Sequence, residues 1–258
     1  MRPVLPLLPD GPRPWLRRTA GALLRTLLPA TCAVCGLPGD GPLCPGCQQQ
    51  FVATPAAAGG PRCPCCANPL PAGTVARRCG RCLAHGPAFD ATIVATDYAA
   101  PFDRLVLQLK FGGRLALAGL CASLLRDAVL EQPGFLLPDL LCPVPLGRRR
   151  LAERGFNQAL EIARPLARAL GVGLYPTLVA RVRDTPAQSL LTPAERQRNL
   201  RLAFTVTPGA LLLVRGCHVG IVDDVMTSGQ TLDQLAATLK RHGAVRVSNL
   251  VFARTPPH

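Results

Sequence analysis

The stretch Ile221 to Thr231, I-V-D-D-V-M-T-S-G-Q-T, constrains this chain more than any other. It begins inside the run Cys217-His218-Val219-Gly220-Ile221-Val222, which is mostly apolar and β-branched, the composition of an interior strand of a parallel sheet. Beyond it, Leu232, Leu235, Ala236 and Leu239 recur at i, i+3, i+4 and i+7, which is one apolar helical face, and Gly243 supplies a stop. The unit is therefore strand (His218 to Asp223), acidic pair, loop, helix. Strands buried on both faces belong to α/β sheets, so the fold class follows from this one unit.

The same unit has a chemistry. A phosphate at the carboxyl end of such a strand meets the unpaired N–H groups and the positive dipole end of the next helix. Gly229 lets the backbone come close, and Thr227, Ser228 and Thr231 add hydroxyl donors to the same anion. Asp223 and Asp224 either accept hydrogen bonds from the vicinal hydroxyls of a ribose or face a magnesium ion that bridges them. The expected ligand is a sugar phosphate.

The rest of the carboxyl-terminal two thirds alternates to match. Ala91 to Tyr98 has strand patterning, Phe102 to Phe111 reads as a helix ending near Gly112-Gly113, and residues 115 to 131 are helical. A strand at Asp139 to Val144, a helix from near Asn157 and a last strand at Val245 to Phe252 complete the series. This predicts an α/β domain with a mainly parallel sheet flanked by helices on both faces. Pro165 falls within the apolar pattern Leu160, Ala163, Ala167 and Leu170, where it should kink or split the helix.

Residues 32 to 82 follow a different logic. Their large apolar residues are Val34, Leu37, Leu43, Phe51, Val52, Leu70 and Val75, too few to hold the segment by burial. The segment instead carries four C-x-x-C pairs: Cys32/Cys35, Cys44/Cys47, Cys63/Cys66 and Cys79/Cys82, with Cys65 as the odd thiol. In a reducing compartment this spacing makes zinc knuckles, and Gly36, Gly46 and Gly80 suit the tight turns. Eight ligands give two structural four-thiolate sites, sequentially paired by preference, with the interleaved pairing also open. Each is worth about 10–16 kcal/mol of apparent binding free energy, enough to offset the ordering that so small a core cannot. Cys65 adjoins Cys66 and competes for the same metal, whereas Cys121, Cys142 and Cys217 sit in apolar contexts as core thiols.

The net charge of +14 is nearly all arginine, Lys110 and Lys240 being the only lysines, and favours polyanionic partners such as nucleic acid or a pyrophosphate-bearing substrate. At the amino terminus, Leu16, Leu23, Leu24, Leu27 and Leu28 among Arg13, Arg17, Arg18 and Arg25 predict a short amphipathic helix within residues 1–30. It docks on its own domain or on a membrane surface. Arg25 interrupts the apolar run and no small-residue cleavage site follows, so the expectation is a cytoplasmic chain without a signal peptide or a membrane span. The domain plan is that helix, a double zinc ribbon over 31–86 and an α/β domain over 87–258.

The segment V-D-D-V-x-T-S-G-x-T resembles the phosphoribosyl pyrophosphate (PRPP) signature of type I phosphoribosyltransferases. Three further segments resemble the ComF family: Pro143-Val-Pro-Leu, the run Arg148-Arg149-Arg150-Leu-Ala-Glu-Arg154-Gly-Phe-Asn157-Gln158, and Gln188-Ser-Leu-Leu-Thr-Pro-Ala-Glu195-Arg196-Gln-Arg-Asn199. That family joins a cysteine-rich module to a phosphoribosyltransferase-type domain, and the likeness covers about residues 30 to 255. It implies that Asp223, Asp224, Thr227, Ser228, Gly229, Gln230 and Thr231 bind PRPP with magnesium. It also implies that the loop after the Asp139 to Val144 strand holds pyrophosphate, with Arg148, Arg154 and Lys110 as its candidate cations. Residues 181 to 201 would be a flap that closes over the ligand, its helix opening at Thr192-Pro193. The implied activity is phosphoribosyl transfer to an unknown acceptor in DNA uptake or DNA utilisation. Implied partners are PRPP, single-stranded DNA and DNA-uptake proteins, and the alternative is a non-catalytic DNA-binding or PRPP-responsive factor on the same fold.

Overall fold

The computed structural model describes residues 30–52, 60–71, 78–182 and 203–256. The expected amino-terminal helix lies outside these residues, and so does nearly all of the expected flap, including Gln188, Glu195 and Asn199. The chain divides into two compact units, Met1–Val52 and Ala53–His258. That division falls between Cys47 and Cys63, so the third and fourth knuckles share a unit with the sheet.

In the first unit, β1 (Ala30–Thr31) pairs antiparallel with β2 (Pro38–Gly39), and α1 (Pro45–Phe51) follows. The Cys44 sulfur caps α1 by accepting from the Cys47 N–H at 3.4 Å, so the knuckle and the helix start are one structure.

The second unit runs α2 (Gly80–Ala84), β3 (Ala91–Asp97), α3 (Phe102–Phe111), α4 (Leu117–Glu131), β4 (Leu140–Pro143), α5 (Arg148–Arg154) and α6 (Gln158–Leu170). It continues with β5 (Gly173–Leu174), β6 (Val179–Arg181), β7 (Phe204–Val206), α7 (Leu211–Val214), β8 (His218–Met226), α8 (Gln230–Arg241) and β9 (Arg246–Arg254). The main sheet has the order β3-β9-β8-β4-β5 and every pairing in it is parallel, as the alternation of strands and helices predicts. β6 and β7 form a separate antiparallel pair. The expected strand at His218 to Asp223 extends to Met226, because Asp223, Val225 and Met226 find register partners in Val251, Ala253 and Arg254 of β9.

Connection handedness places the layers. The crossovers β3 to β4 and β4 to β5 travel one way along the sheet, and β8 to β9 travels the other. With right-handed crossovers, α4 and α6 lie on one face, where they pack against each other, and α8 lies on the opposite face. The core is deepest where these layers meet: Leu141, Cys142, Ile221, Val222, Val251 and Phe252 are fully buried. Pro165 leaves α6 a single helix from Gln158 to Leu170, where the fully buried Ile162, Ala163 and Leu166 hold it against the sheet.

Gly220 shows how tightly β8 is packed, since a Cβ there would stand 2.5 Å from Leu141 Cδ2 and 2.7 Å from Pro138 Cγ. Gly220→Ala is expected to cost about 1–3 kcal/mol in denaturant unfolding through overpacking. A stability equal to that of the parent would refute this packing.

Candidate functional site

β4 and β8 are neighbours whose outgoing connections lead to helices on opposite faces, which makes their carboxyl ends a topological switch point. Both sequence-predicted loops end there. Val144, just after β4, donates its N–H to Val222 O at 2.9 Å, and Asn157 donates Nδ2–H to Val144 O at 3.0 Å while its Oδ1 caps α6 through the Ala159 N–H. Asn157 is thus a clasp that fixes the loop after β4 to the start of α6.

On β8, Asp224 is 4% exposed and forms an ion pair with Lys110, its Oδ2 lying 2.8 Å from the Nζ in the last turn of α3. Asp223 retains some solvent contact, yet its carboxyl sits in a largely protein environment. Burial, and then the adjacent Asp224 carboxylate, push it well above the usual carboxylate range, against the opposing pull of the Asp224 N–H and Lys110. Cys121 on α4 borders the same pair, and burial followed by the Asp224 charge pushes its thiol up to about 12. Two adjacent carboxylates, one of them paired with Lys110, bring oxygen ligands to one point, which suits a hard divalent cation or ribose hydroxyls.

The loop Thr227-Ser228-Gly229 follows at once. Thr227 and Ser228 are exposed, and Gly229 adopts φ +80° as the residue that opens α8. A Cβ at Gly229 would lie 2.5 Å from Met226 Cε, so glycine serves both the left-handed turn and the close approach. The Ser228 hydroxyl accepts from the Gln230 N–H at 3.4 Å. Among the described residues, the N–H groups of Thr227, Ser228 and Gly229 meet no backbone acceptor. An anion at the start of this 12-residue helix would find donors ready.

The cations expected at the pyrophosphate are distributed unequally. Lys110 is engaged with Asp224, and Arg154 stacks its guanidinium 5.2 Å from the ring centroid of Phe111, the residue next to Lys110. α3 thereby brings Lys110 and Arg154 to the same corner of the site. Arg148, at the first position of α5, is exposed, and Arg149 is taken by Glu153 at 2.8 Å.

The cysteines assemble as two sets, Cys32, Cys35, Cys44, Cys47 and Cys63, Cys66, Cys79, Cys82, with all sulfurs of a set within 4.8 Å of one another. The pairing is sequential. Sulfur separations of 3.7 Å (Cys35 to Cys44) and 3.5 Å (Cys66 to Cys79) lie close to the ~3.8 Å edge of a tetrahedron with ~2.3 Å zinc–sulfur bonds. Burial raises Cys32, but the N–H groups of Cys35, Cys44 and Val34 outweigh it and bring the thiol down to about 6. In the second set burial raises Cys63, and the N–H groups of Cys79, Cys66 and Cys65 bring it down to about 7. Donor chemistry and spacing both fit zinc. Cys65 stays outside the second set, with its sulfur directed at Phe89 O at 3.7 Å. Of the remaining thiols, Cys121 and Cys142 are core residues as expected, and Cys217 is only partly buried against the core.

Comparison with known proteins agrees with this architecture. The double zinc ribbon domain matches residues 23–83 and the phosphoribosyl transferase domain matches residues 157–256. The chain is 41% identical over 189 residues to the DNA utilization protein YhgH of Salmonella typhi, covering 72% of this chain and 82% of that one. It is 36% identical to the YhgH protein of Escherichia coli O6:H1 over 88% of this chain and 98% of the relative. With competence protein F of Haemophilus influenzae it shares 31% identity over 82% and 90% of the two chains. The chain belongs to the ComF family. Among the described residues of this ComF-family chain, no helix is long and apolar enough to cross a membrane.

Two residues at the site were not legible in sequence. Arg254 and Arg81 both donate to carbonyls of the Met226 to Ser228 segment. Arg254 is visible as a charge ending the apolar run of β9, but only the β8–β9 register places it beside Met226.

Asp223 yields a pH prediction. Its folded pKa is raised, so above the ordinary carboxylate range the unfolded chain binds fewer protons, and stability declines as pH rises from that range through the folded value. Asp223→Asn should therefore raise the melting temperature by a few degrees at pH 8, with the gain vanishing below about pH 4. A variant less stable than the parent at pH 8 would contradict this. The cysteine sets predict about two zinc ions per chain by elemental analysis. A value near one would mean that one set is idle.

Proposed function

We propose that this chain binds PRPP with magnesium across the switch point and transfers its phosphoribosyl group, releasing pyrophosphate. The observation that carries this reading is the succession on one strand and loop of Asp223, Asp224, three available N–H groups and the start of α8. In this reading the 5′-phosphate rests on Thr227, Ser228, Gly229, Gln230 and Thr231, and the ribose hydroxyls face Asp223 and Asp224. A divalent cation would supply neutralisation of the pyrophosphate charge, with the two aspartates as its nearest protein oxygens.

Lys110 gives the site a built-in exchange. It pairs with Asp224 at 2.8 Å, and in this reading engagement of the acids by the ribose and its cation frees the ammonium for the pyrophosphate. Arg154, parked on Phe111, is a second cation for the same leaving group. Breaking the anomeric C–O bond builds negative charge on pyrophosphate, and fixed cations that meet that charge as it develops lower the barrier. The acceptor is a nucleophile that attacks the anomeric carbon as pyrophosphate departs.

The net charge of +14 supports a second, compatible role in binding single-stranded DNA. Relatives are named for DNA utilization and for competence, which suits an intracellular function in the use of incoming DNA.

Calorimetric titration of Mg-PRPP is expected to show a single site in the parent and at least ~100-fold weaker binding in Asp223→Asn/Asp224→Asn, the loss of two charge-assisted contacts. A parent that does not bind would end the proposal. Fluorescence anisotropy with a short single strand is expected to show affinity falling steeply between about 50 and 200 mM salt and unaffected by the double substitution. Equal loss of both ligands would mean a shared site.

A further inference from the structure

Three successive carbonyls in front of Gly229 are held by arginines. Arg254, 3% exposed at the end of β9, shares its two Nη1–H groups among Met226 O at 3.0 Å, Thr227 O and Thr255 O at 2.6 Å, while Arg81 donates from Nη2 to Ser228 O at 2.7 Å. The peptide unit is planar and trans, so C=O of one residue and N–H of the next point in opposite directions. Fixing the carbonyls of Met226, Thr227 and Ser228 on the arginine side therefore aims the N–H groups of Thr227, Ser228 and Gly229 away from it. Those are the three N–H groups that no backbone carbonyl of the described residues accepts.

Both arginines are anchored in the second cysteine set. The remaining donors of Arg254 reach Cys66 O at 3.3 Å through Nε and Asn68 Oδ1 at 2.6 Å through Nη2. Cys66 is a ligand of the set, and Asn68 belongs to the turn that closes it, where its carbonyl accepts the Cys63 N–H at 2.8 Å. Arg81 lies in α2 between the ligands Cys79 and Cys82. The ribbon also joins the sheet through the Thr92 N–H to Pro64 O at 3.0 Å.

We propose that Arg254 and Arg81 are positioning residues that make the phosphate loop depend on the second metal site: with the four thiolates closed on zinc, the two guanidinium groups hold the loop carbonyls so that its N–H groups face the ligand. This rests on the reading of the loop as a phosphate site, and it assigns the second zinc ribbon a part in forming that site. A guanidinium is needed because one planar group has to serve several acceptors in fixed directions, which an ammonium cannot.

The test reads the loop without any ligand, by NMR amide order parameters of residues 227–229 in the full chain, because among the described residues these N–H groups have no backbone acceptor whose exchange protection could be lost. In Cys79→Ser, zinc is expected to fall from about two to about one per chain and the loop order parameters to fall from about 0.85 to below about 0.6. Asn68→Ala and Arg81→Ala should lower them with zinc retained. Arg254→Met combined with Arg81→Ala should lower them most, with Cys79→Ser adding nothing further in that background, and Arg254→Lys should not match the parent. Parental order parameters in Cys79→Ser, with one zinc lost, would overturn the proposal. So would a further fall caused by Cys79→Ser once both arginines are replaced. Should that double variant fail to fold, Asn68→Ala and Arg81→Ala decide the matter, since parental order in both would overturn it. Affinity for Mg-PRPP is expected to drop about tenfold wherever the loop loses order. A parent without PRPP affinity but with this pattern intact would sink the function proposed above and leave the coupling standing.

Discussion

Two consecutive carboxylates near the end of a largely buried central strand set the terms for the rest of this structure. β8 lies between β4 and β9 with helices over both faces, so Asp224 enters the interior with little water to solvate it, and its charge has to be met by protein. Lys110 meets it. That requirement fixes the last turn of α3 over the end of β8 and with it the placement of Phe111 and Arg154. For Asp223 the same lysine does not suffice, and burial followed by the Asp224 charge keeps its pKa raised. A parallel sheet without a ligand at this point would be more stable with apolar residues there, and strain of this kind is what sites trade stability for.

The second organising constraint is the peptide plane. A loop that presents several N–H groups to an anion must turn its carbonyls the other way, where they need donors. In a helix or sheet those donors are other N–H groups. Here they are the guanidinium groups of Arg254 and Arg81, one at the end of the neighbouring strand and one in the cysteine-rich segment. This explains why a segment with so few apolar residues is not a loose appendage beyond Cys63, but shares a compact unit with the sheet. The turn of the second cysteine set offers acceptors, Cys66 O and Asn68 Oδ1, to the buried guanidinium of Arg254.

Much of this could be read from local pattern. The apolar β-branched run from Val219, the acids at positions 223 and 224 and the helical spacing from Leu232 identify a strand, an acidic strand end and a helix without any partner being known, because each is a property of adjacent residues. The zinc knuckles are legible for the same reason, since two residues between thiols is itself the geometry. Boundaries were less legible. β8 runs three residues past Asp223 because β9 supplies register partners there, and periodicity within one strand contains no information about its neighbour. Pro165 was expected to disturb α6, yet burial of Ile162 and Leu166 outweighs one missing hydrogen bond.

The sequence by itself determined the fold class, the succession of acids and small residues after the apolar run of β8, and the four C-x-x-C knuckles, since covalent proximity places those groups together in any compact state, whereas the sequential grouping of the knuckles came from the structure. Only the tertiary structure decided which long-range partners complete them: Lys110 for Asp224 across 114 positions, Arg254 for the loop carbonyls and the turn of Asn68 for Arg254. These pairings depend on strand order and register, which are settled by how the whole sheet buries its faces and not by any short run of residues.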